Sequence, residues 1–341
     1  MRLKLGWLVL GALLLLPMTA ATAQSLDRWQ SVNLQGLSVF SMAFDPTNTQ
    51  KFFVGTNAGL LRSDDGGGRF VRVLGGLPPN QVVMQVRIDP NDQDIAYAAT
   101  PGAGLFRSAD GGSNWRRVAG IPQVQLGSIT LDPADPNRVF VATFGAGVFR
   151  STDAGQTFES INRGLPPSPT ARTVRPLLID PLASQTLYLG TDGAGVFRSD
   201  DGGDTWQATN TRIGSRAVPL LLFDPTDPAR LLAGTDRDGV FVTEDRGGSW
   251  SRVLGAFRAY FVVGGLWSER DPQRVLLGSR GNERGLGSGV LLSRDGGKTF
   301  AALNEGLSNR VIHSLSFDPQ DPNVVYAGSE DGLFRLTLSS P

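Results

Sequence analysis

Cysteine is absent from this chain of 341 residues, and its absence removes several kinds of chemistry. Disulfides, thiolate metal ligands and a cysteine nucleophile are excluded, as is a lipid anchor on an N-terminal cysteine. Packing and hydrogen bonds alone must therefore hold the fold together.

An excess of charge of either sign is also missing. Lys+Arg and Asp+Glu both number 32, so the chain has no global bias toward nucleic acids or anionic membranes. Lys4, Lys51 and Lys298 are the only lysines, and arginine supplies the remaining basic residues. Any electrostatic binding must therefore be local. The excess of arginine over lysine is explained by genome composition or by the planar bidentate contacts that arginine makes to anions.

Histidine and the common catalytic motifs are scarce. His313 is the only histidine, so any histidine-based triad or histidine-rich metal site would have to use it. Neither a G-x-S-x-G elbow nor a phosphate-binding P-loop occurs. The run Asp236-Arg237-Asp238-Gly239 begins like a calcium loop but lacks the ligand spacing that should follow. We therefore predict neither a cofactor nor a metal site.

Apolar runs long enough to cross a membrane are missing as well. A basic N-terminus precedes a short apolar stretch from Leu5 to Leu16, and Ala21-Thr22-Ala23 follows it. This order of segments is typical of an export signal. We predict a signal peptide over residues 1–23, cleaved after Ala23, and a soluble mature chain over residues 24–341 that is secreted or periplasmic.

What the sequence does contain is a repeat. The phrase Ser63-Asp64-Asp65-Gly66-Gly67-Gly68-Arg69-Phe70 returns in six versions, each ending in Trp or Phe. Its recurring aspartates are Asp65, Asp110, Asp153, Asp201, Asp245 and Asp295. They are separated by 45, 43, 48, 44 and 50 residues, a period typical of stacked or closed arrays of small sheets.

Each repeat contains four strand-like segments separated by turn residues. In the second repeat they are Val82–Ile88, Ile95–Ala99, Leu105–Ser108 and Trp115–Val118. Helical periodicity is absent from the mature chain. We therefore predict an all-β fold of four-stranded antiparallel blades.

A second recurring residue, at the end of each first strand, sets the number of blades. It is found at Asp45, Asp89, Asp132, Asp180, Asp224, Ser268 and Asp318, which predicts seven blades. The seventh lacks a fourth strand of its own, and Trp29-Gln30-Ser31-Val32-Asn33 resembles the fourth strand of other repeats. We predict that this N-terminal segment completes the last blade and closes the ring, so that no strand edge is left exposed between the termini.

The phrase Ser/Thr-x-Asp-x-Gly-x-x-Trp/Phe resembles the Asp-box, or BNR, repeat of β-propellers. The resemblance covers nearly all of the mature chain. Families that share this repeat include sialidases, xyloglucan-active glycoside hydrolases, sortilin-type receptors and photosystem II assembly factors. It implies a single seven-bladed propeller. In the assembly-factor family it also implies client binding on an arginine-rich face.

We interpret the Asp-box aspartates as structural. A carboxylate at this place can accept N–H groups of its own turn, while Gly67 and its equivalents adopt the positive φ of a tight hairpin. The alternative is that these aspartates are ligands or catalytic acids. One carboxylate per blade, however, keeps the groups apart around the rim, whereas a glycosidase pair lies within roughly 5–9.5 Å.

The loops on the face opposite the Asp-boxes are the candidates for recognition, because the long insertions, at 165–175 and 279–289, fall there. We call this surface the variable face. Arginines in the loops of blades four to seven predict a basic sector on this face. We expect this sector to bind a protein or peptide partner, and acidic groups on that partner would complement the arginines. They are Arg172, Arg175, Arg212, Arg216, Arg258, Arg280, Arg284 and Arg310. The alternative is that these arginines are solvated and paired with nearby acids such as Glu283 and Glu305.

Evidence for catalysis is weak. Asp192 and Asp236 occupy equivalent loop positions in adjacent blades and form the best carboxylate pair for acid–base chemistry. Tyr260, next to Arg258, is the candidate nucleophile of a sialidase-like site. The xyloglucan-active enzymes that the chain resembles bind substrate between two propellers, and this chain has one.

The sequence therefore predicts an exported, monomeric and non-enzymatic binding or assembly scaffold. The alternatives are a carbohydrate-active enzyme of glycoside hydrolase or sialidase type, and a polysaccharide-binding surface module.

Overall fold

The computed structural model describes residues 27–236, 238–253, 261–280 and 289–339. They form seven four-stranded antiparallel sheets, as the sequence predicts. The signal-peptide prediction over residues 1–23 lies outside the described residues. Among those that are described, no helix is long and apolar enough to cross a bilayer.

The first strand along the chain is β1 (Gln30–Ser31). Blade one comprises β2 (Val39–Phe44), β3 (Phe52–Thr56), β4 (Gly59–Ser63) and β5 (Val71–Arg72). Blade two comprises β6 (Gln85–Ile88), β7 (Ile95–Thr100), β8 (Gly104–Ala109) and β9 (Arg116–Arg117). Blade three comprises β10 (Leu126–Leu131), β11 (Val139–Thr143), β12 (Val148–Ser151) and β13 (Glu159–Ser160).

Blade four comprises β14 (Val174–Asp180), β15 (Ala183–Thr191), β16 (Val196–Ser199) and β17 (Gln207–Ala208). Blade five comprises β18 (Leu220–Phe223), β19 (Leu231–Gly234), β20 (Val240–Thr243) and β21 (Ser251–Arg252). Blade six comprises β22 (Phe261–Trp267), β23 (Val275–Arg280), β24 (Val290–Ser293) and β25 (Ala301–Ala302). Blade seven comprises β26 (Ile312–Phe317), β27 (Val324–Ser329) and β28 (Gly332–Thr337), together with β1.

Burial differs between the strands of a blade. The second strand is apolar and buried along its whole length in blades one, three and seven, because neighbouring blades cover both of its faces. The fourth strand is only two residues long and lies at the exposed outer edge. The sequence predicts this strand but overestimates its length: Trp115–Val118 is predicted in blade two, and the strand is Arg116–Arg117. The aromatic residue before the strand packs into the core and is not paired in the sheet.

One feature of the backbone differs from the prediction of no helix. The connection between blades three and four contains the short helix α1 (Pro169–Arg172). Ser168 caps it by accepting a hydrogen bond from the Ala171 N–H (3.2 Å), and proline occupies its first position. A single turn is too short to leave a helical period in the sequence.

The N-terminal segment closes the ring. Gln30 and Ser31 of β1 pair antiparallel with Arg335 and Phe334 of β28. Trp29 is 2% exposed, and its indole N–H donates to the Leu303 carbonyl (2.8 Å). Trp206 and Trp250 make the same bond to the preceding blade, so Trp29 supplies the aromatic residue that blade seven lacks.

Apolar side chains pack between adjacent blades. One cluster joins Phe140 and Val148 of blade three to Leu177 and Leu187 of blade four, and each other interface repeats the arrangement. The blades approach closely because a small residue lies at or near the end of each second strand. These residues are Gly55, Ala99, Ala142, Gly190, Gly234, Gly278 and Gly328. A Cβ on Gly190 would lie 2.2 Å from the carbonyl oxygen of Val218 in the next blade.

The Asp-boxes and the turns after the first strands share one face. In blade one, the Gly66 N–H of the Asp-box donates to the Gln50 carbonyl of that turn (2.9 Å). Gly111 and Gly202 make the corresponding bonds to Asp94 and Gln185. The loops between second and third strands and the connections between blades therefore emerge on the opposite, variable face.

Candidate functional site

The Asp-box carboxylates are occupied by their own hairpins. In blade three, Asp153 accepts hydrogen bonds from the Ser151 hydroxyl (2.7 Å) and the Thr157 N–H (2.9 Å). The Ser151 hydroxyl oxygen accepts the Gly155 N–H (2.8 Å). The same pattern recurs at Asp65, Asp110, Asp201, Asp245 and Asp295.

These bonds stabilise the ionised form of the carboxyl groups. The Thr157 hydroxyl and N–H, followed by the Ser151 hydroxyl, lower the pKa of Asp153 to about 2. At Asp295, burial raises the pKa, but hydrogen bonds outweigh it and the net value is again about 2. A group with so low a pKa cannot serve as a general acid near neutral pH. The geometry agrees with a structural role.

The variable face carries several of the predicted arginines. Arg172 ends α1, and its carbonyl accepts the N–H groups of Gly145 (3.0 Å) and Gly147 (2.9 Å) from the preceding blade. The connection at 165–175 therefore rests on the loop face of blade three. Most of the second insertion, at 279–289, lies outside the described residues, as do Arg258, Tyr260 and Arg284.

Two of the predicted arginines are paired with acids. Arg175 contacts Asp192 (3.3 Å) and lies over the Phe144 ring (5.0 Å), so it links blades three and four. Arg216 contacts Asp238 (2.8 Å) and lies over the Phe241 ring (5.1 Å). These two side chains brace loops, which makes them poor candidates for independent partner contacts.

The other four predicted arginines in the described part of the chain have no carboxylate at ion-pair distance there. They are Arg172, Arg212, Arg280 and Arg310. Arg212 and Arg310 are exposed. Glu305, which the sequence suggests as a neutralising acid, instead contacts Arg28 (3.5 Å). The free guanidinium groups of this face are available for an external anion.

A charged cluster surrounds the mouth of the central channel on the variable face. Burial lowers the pKa of Arg280, the like charge of Arg175 lowers it further, and Glu330 opposes both effects. His313 shares a short hydrogen bond with Glu330 and packs against Phe40 (4.9 Å between ring centroids). Burial also lowers the pKa of His313, despite the bond to Glu330, and so favours the neutral imidazole.

The structure gives the proposed carboxylate pair different surroundings. Asp192 is held by Arg175, and its backbone N–H donates to Thr173 (2.9 Å). The backbone of Asp236 pairs with Phe261 of the next blade in an isolated bridge. Wherever the pKa of a described carboxyl group is shifted, it is lowered, whereas the acid of a glycosidase requires a raised pKa.

Among the residues that the structure describes, no group of three or more His, Asp or Glu side chains could hold a metal ion.

The central channel is a cavity of about 680 Å³, lined by the first strands of all seven blades. It contains Arg87 of β6, which is not among the predicted site residues. The sequence does mark this residue as an exception. Arg87 lies two residues before the turn aspartate Asp89, a position that can be compared in all seven repeats. The equivalent residues of the other blades are uncharged: Ala43, Thr130, Leu178, Leu222, Leu266 and Ser316.

Comparisons with known proteins support the repeat and the fold. The family described as photosynthesis system II assembly factor YCF48 matches residues 21–164, which is less than half of the chain. No curated protein sequence matches closely enough to indicate a relative.

Three solved structures illustrate the likeness. A GH74 xyloglucanase from Xanthomonas campestris is 17% identical with a TM-score of 0.72, over 92% of this chain and 54% of its own. YCF48 bound to D1 peptide is 18% identical with a TM-score of 0.68, over 92% of this chain and 97% of its own. YCF48 from Cyanidioschyzon merolae is 17% identical with a TM-score of 0.66, over 91% of this chain and 98% of its own.

The chain thus spans about half the length of the xyloglucanase and nearly all of the YCF48 structures. At these identities the likeness establishes the fold alone. Together with the repeats, it identifies the chain as a seven-bladed β-propeller of the Asp-box (BNR) type.

Proposed function

We propose that this Asp-box propeller is an exported, non-enzymatic scaffold that docks a protein or peptide partner on its variable face. One observation carries the proposal: the described part of that face has four guanidinium groups without a carboxylate partner, while the Asp-box acids of the other face are occupied by their own turns. Arginine suits such contacts because its planar fork binds carboxylates in a bidentate manner.

The similarity to YCF48 bound to D1 peptide supports a peptide or protein as the partner, because the two chains match over nearly their full lengths. Acidic groups on the partner would complement Arg212 and Arg310, which are exposed. We propose the docking role and leave the client open.

A double variant tests the role of these arginines. Arg212→Glu with Arg310→Glu reverses two charges on the variable face. Arg69→Glu with Arg116→Glu makes the same change in net charge at exposed sites in blades one and two, away from that face. Partners would be captured from the native envelope and identified by mass spectrometry at low and high salt.

We expect the control variant to recover the same partners as the unchanged protein, and the variable-face variant to lose them. Capture should also weaken with salt, since screening reduces contacts between exposed charges. Equal recovery by both double variants would refute docking through these arginines.

The similarity to GH74 enzymes favours carbohydrate as a second candidate ligand class. A screen of the purified protein against xyloglucan and aryl glycosides tests for hydrolysis. Turnover that Asp192→Asn or Asp236→Asn abolishes would establish an enzyme and overturn the scaffold proposal. Binding of xyloglucan without turnover would instead support a polysaccharide-binding module.

A further inference from the structure

The central channel has an unusual charge composition. Its ionisable lining residues, within the part of the chain that the structure describes, are Arg87, Arg175, Arg280 and His313, and none is acidic. Asp192 compensates Arg175, and Glu330 bonds to His313. Arg87 has no such partner at ion-pair distance among the described residues.

The Arg87 side chain lies in the channel and is exposed to the solvent there. Its guanidinium donates one hydrogen bond to the neighbouring Val86 carbonyl (3.0 Å). A guanidinium has five N–H donors, and its planar fork matches a carboxylate. Arg87 therefore keeps donors for an anion from outside the chain.

The positions and chemistry of the side chains along the channel wall indicate what kind of ligand the channel fits. Arg175 and His313 lie near the start of β14 and β26, whereas Arg87 lies near the end of β6. These positions differ by three residues along equivalent strands, which corresponds to roughly 10 Å at ~3.3 Å per residue. The lining between these two levels is mixed, because Ser41, Gln85, Ser128 and Ser314 lie beside the apolar residues Met42 and Leu315.

We propose that the channel binds a short carboxylate-terminated chain, with its carboxylate on Arg87 and its chain extending toward the variable face. A carboxylate matches the fork of a single guanidinium. The channel volume, about 680 Å³, falls within the range of small-ligand sites. The cations Arg175 and Arg280 lie at the variable-face mouth and favour the entry of an anion.

The carboxylate site is separate from the docking contacts under test, because Arg212 and Arg310 are not among the residues that line the channel. Two sources could supply the same chemistry: the C-terminus of a polypeptide or an aliphatic acid. The probes are therefore the tripeptide acetyl-Ala-Leu-Ala as free acid and as amide, and octanoate with octanol as its neutral counterpart.

Binding is measured by calorimetry and by thermal shift on the purified chain. We expect at least one acid to bind, and its uncharged counterpart to bind at least tenfold more weakly. Binding of the peptide acid identifies a polypeptide terminus, whereas binding of octanoate identifies an aliphatic acid. If neither acid binds at millimolar concentration, or if acid and neutral forms bind equally, the proposal is overturned.

Arg87→Leu tests the residue itself, since blades four and five carry Leu178 and Leu222 at the same position. We expect the variant to be at least as stable as the unchanged protein without ligand, and to lose acid binding at least tenfold. Arg116→Leu, on the exposed outer strand β9, removes the same charge and should bind normally. Retained binding in Arg87→Leu would refute the assignment. Because capture of partners in the docking experiment does not involve Arg87, the two proposals can fail separately.

Discussion

At the scale of single residues, a buried hydroxyl lies at the end of the second strand of every blade or next to that end. It donates to the carbonyl of the glycine that begins the third strand or immediately precedes it, as in Thr191 to Gly195 (2.8 Å). The residues are Thr56, Thr100, Thr143, Thr191, Thr235, Ser279 and Ser329. The loop beyond this hydroxyl can vary because the hydroxyl, and not the loop sequence, holds its two ends together.

Replacing Thr191 by valine should therefore destabilise the protein. The change keeps the shape but leaves the Gly195 carbonyl and the Ala194 N–H, which donates to the threonine hydroxyl (2.9 Å), without that partner. We expect a loss of about 1–3 kcal/mol in the free energy of unfolding, measured by urea denaturation. Thr191→Ser retains the hydroxyl and should lose less. Equal losses for both variants would indicate that methyl packing is what matters.

The Asp-boxes predict how stability depends on acid. Hydrogen bonds keep the pKa of Asp110, Asp153, Asp201 and Asp295 at about 2 in the folded protein, below the ~3.9 of an unfolded aspartate. Above about pH 4 the stabilisation is complete, because both states are ionised. As pH falls from about 4 to about 2, the unfolded chain takes up protons first and the folded state loses stability.

A triple variant provides the measurement. Asp153→Asn, Asp201→Asn and Asp295→Asn together should be less stable than the unchanged protein at neutral pH, and their stability should fall less steeply below about pH 4. Urea midpoints measured between about pH 5 and about pH 2.5 report the slope. The same slope in both proteins would show that other groups control acid unfolding.

At the scale of structural elements, a strand of two residues closes the ring. β1 contributes only two residues to the ladder, but Trp29 before it packs against Leu276 and Val290 of blade six. Asp27 adds a second tie, because its carboxylate accepts the N–H (2.8 Å) and hydroxyl (2.7 Å) of Ser339. Closure thus depends on these side chains as well as on backbone bonds such as Val32 N–H to the Leu333 carbonyl (2.8 Å).

Trp29→Ala should destabilise the fold by about 3–5 kcal/mol, since it removes a buried aromatic residue and leaves a cavity. Thermal and urea unfolding measure the change. Arg28→Ala is the matched control, because its ion pair with Glu305 is exposed and is worth ~0–1 kcal/mol. If both variants unfold alike, the N-terminal segment does not hold the ring closed.

At the scale of the whole molecule, the ring separates two kinds of surface. One face consists of turns whose polar groups are occupied internally, and the other carries the insertion at 165–175 and the free arginines. A closed ring can tolerate such variation because the loops project from a core that packs only between neighbouring blades.

Export is also a property of the whole chain, and it remains a prediction. N-terminal sequencing of the protein isolated from the cell envelope or the medium should begin at Gln24. Ala21→Leu with Ala23→Leu removes the small residues that signal peptidase needs, so this variant should keep its N-terminus uncleaved. A native protein that still begins at Met1 would contradict the predicted signal peptide.

The sequence by itself determined the repeat, the number of blades and the closing segment. Turn aspartates, Asp-boxes and the aromatic residues after them are local signals, and each recurs often enough to be aligned within one chain. Trp29 could be placed for the same reason, because its neighbours match the fourth strands of other blades.

Only the tertiary structure decided which charges are free. Asp192 neutralises Arg175 and Asp238 neutralises Arg216, although 17 and 22 residues of sequence separate the partners. Arg87 could be seen as an exception in the repeat, but its lack of a partner depends on seven strands meeting around one channel. Charge compensation is a property of distances between blades, and a repeat pattern does not contain those distances.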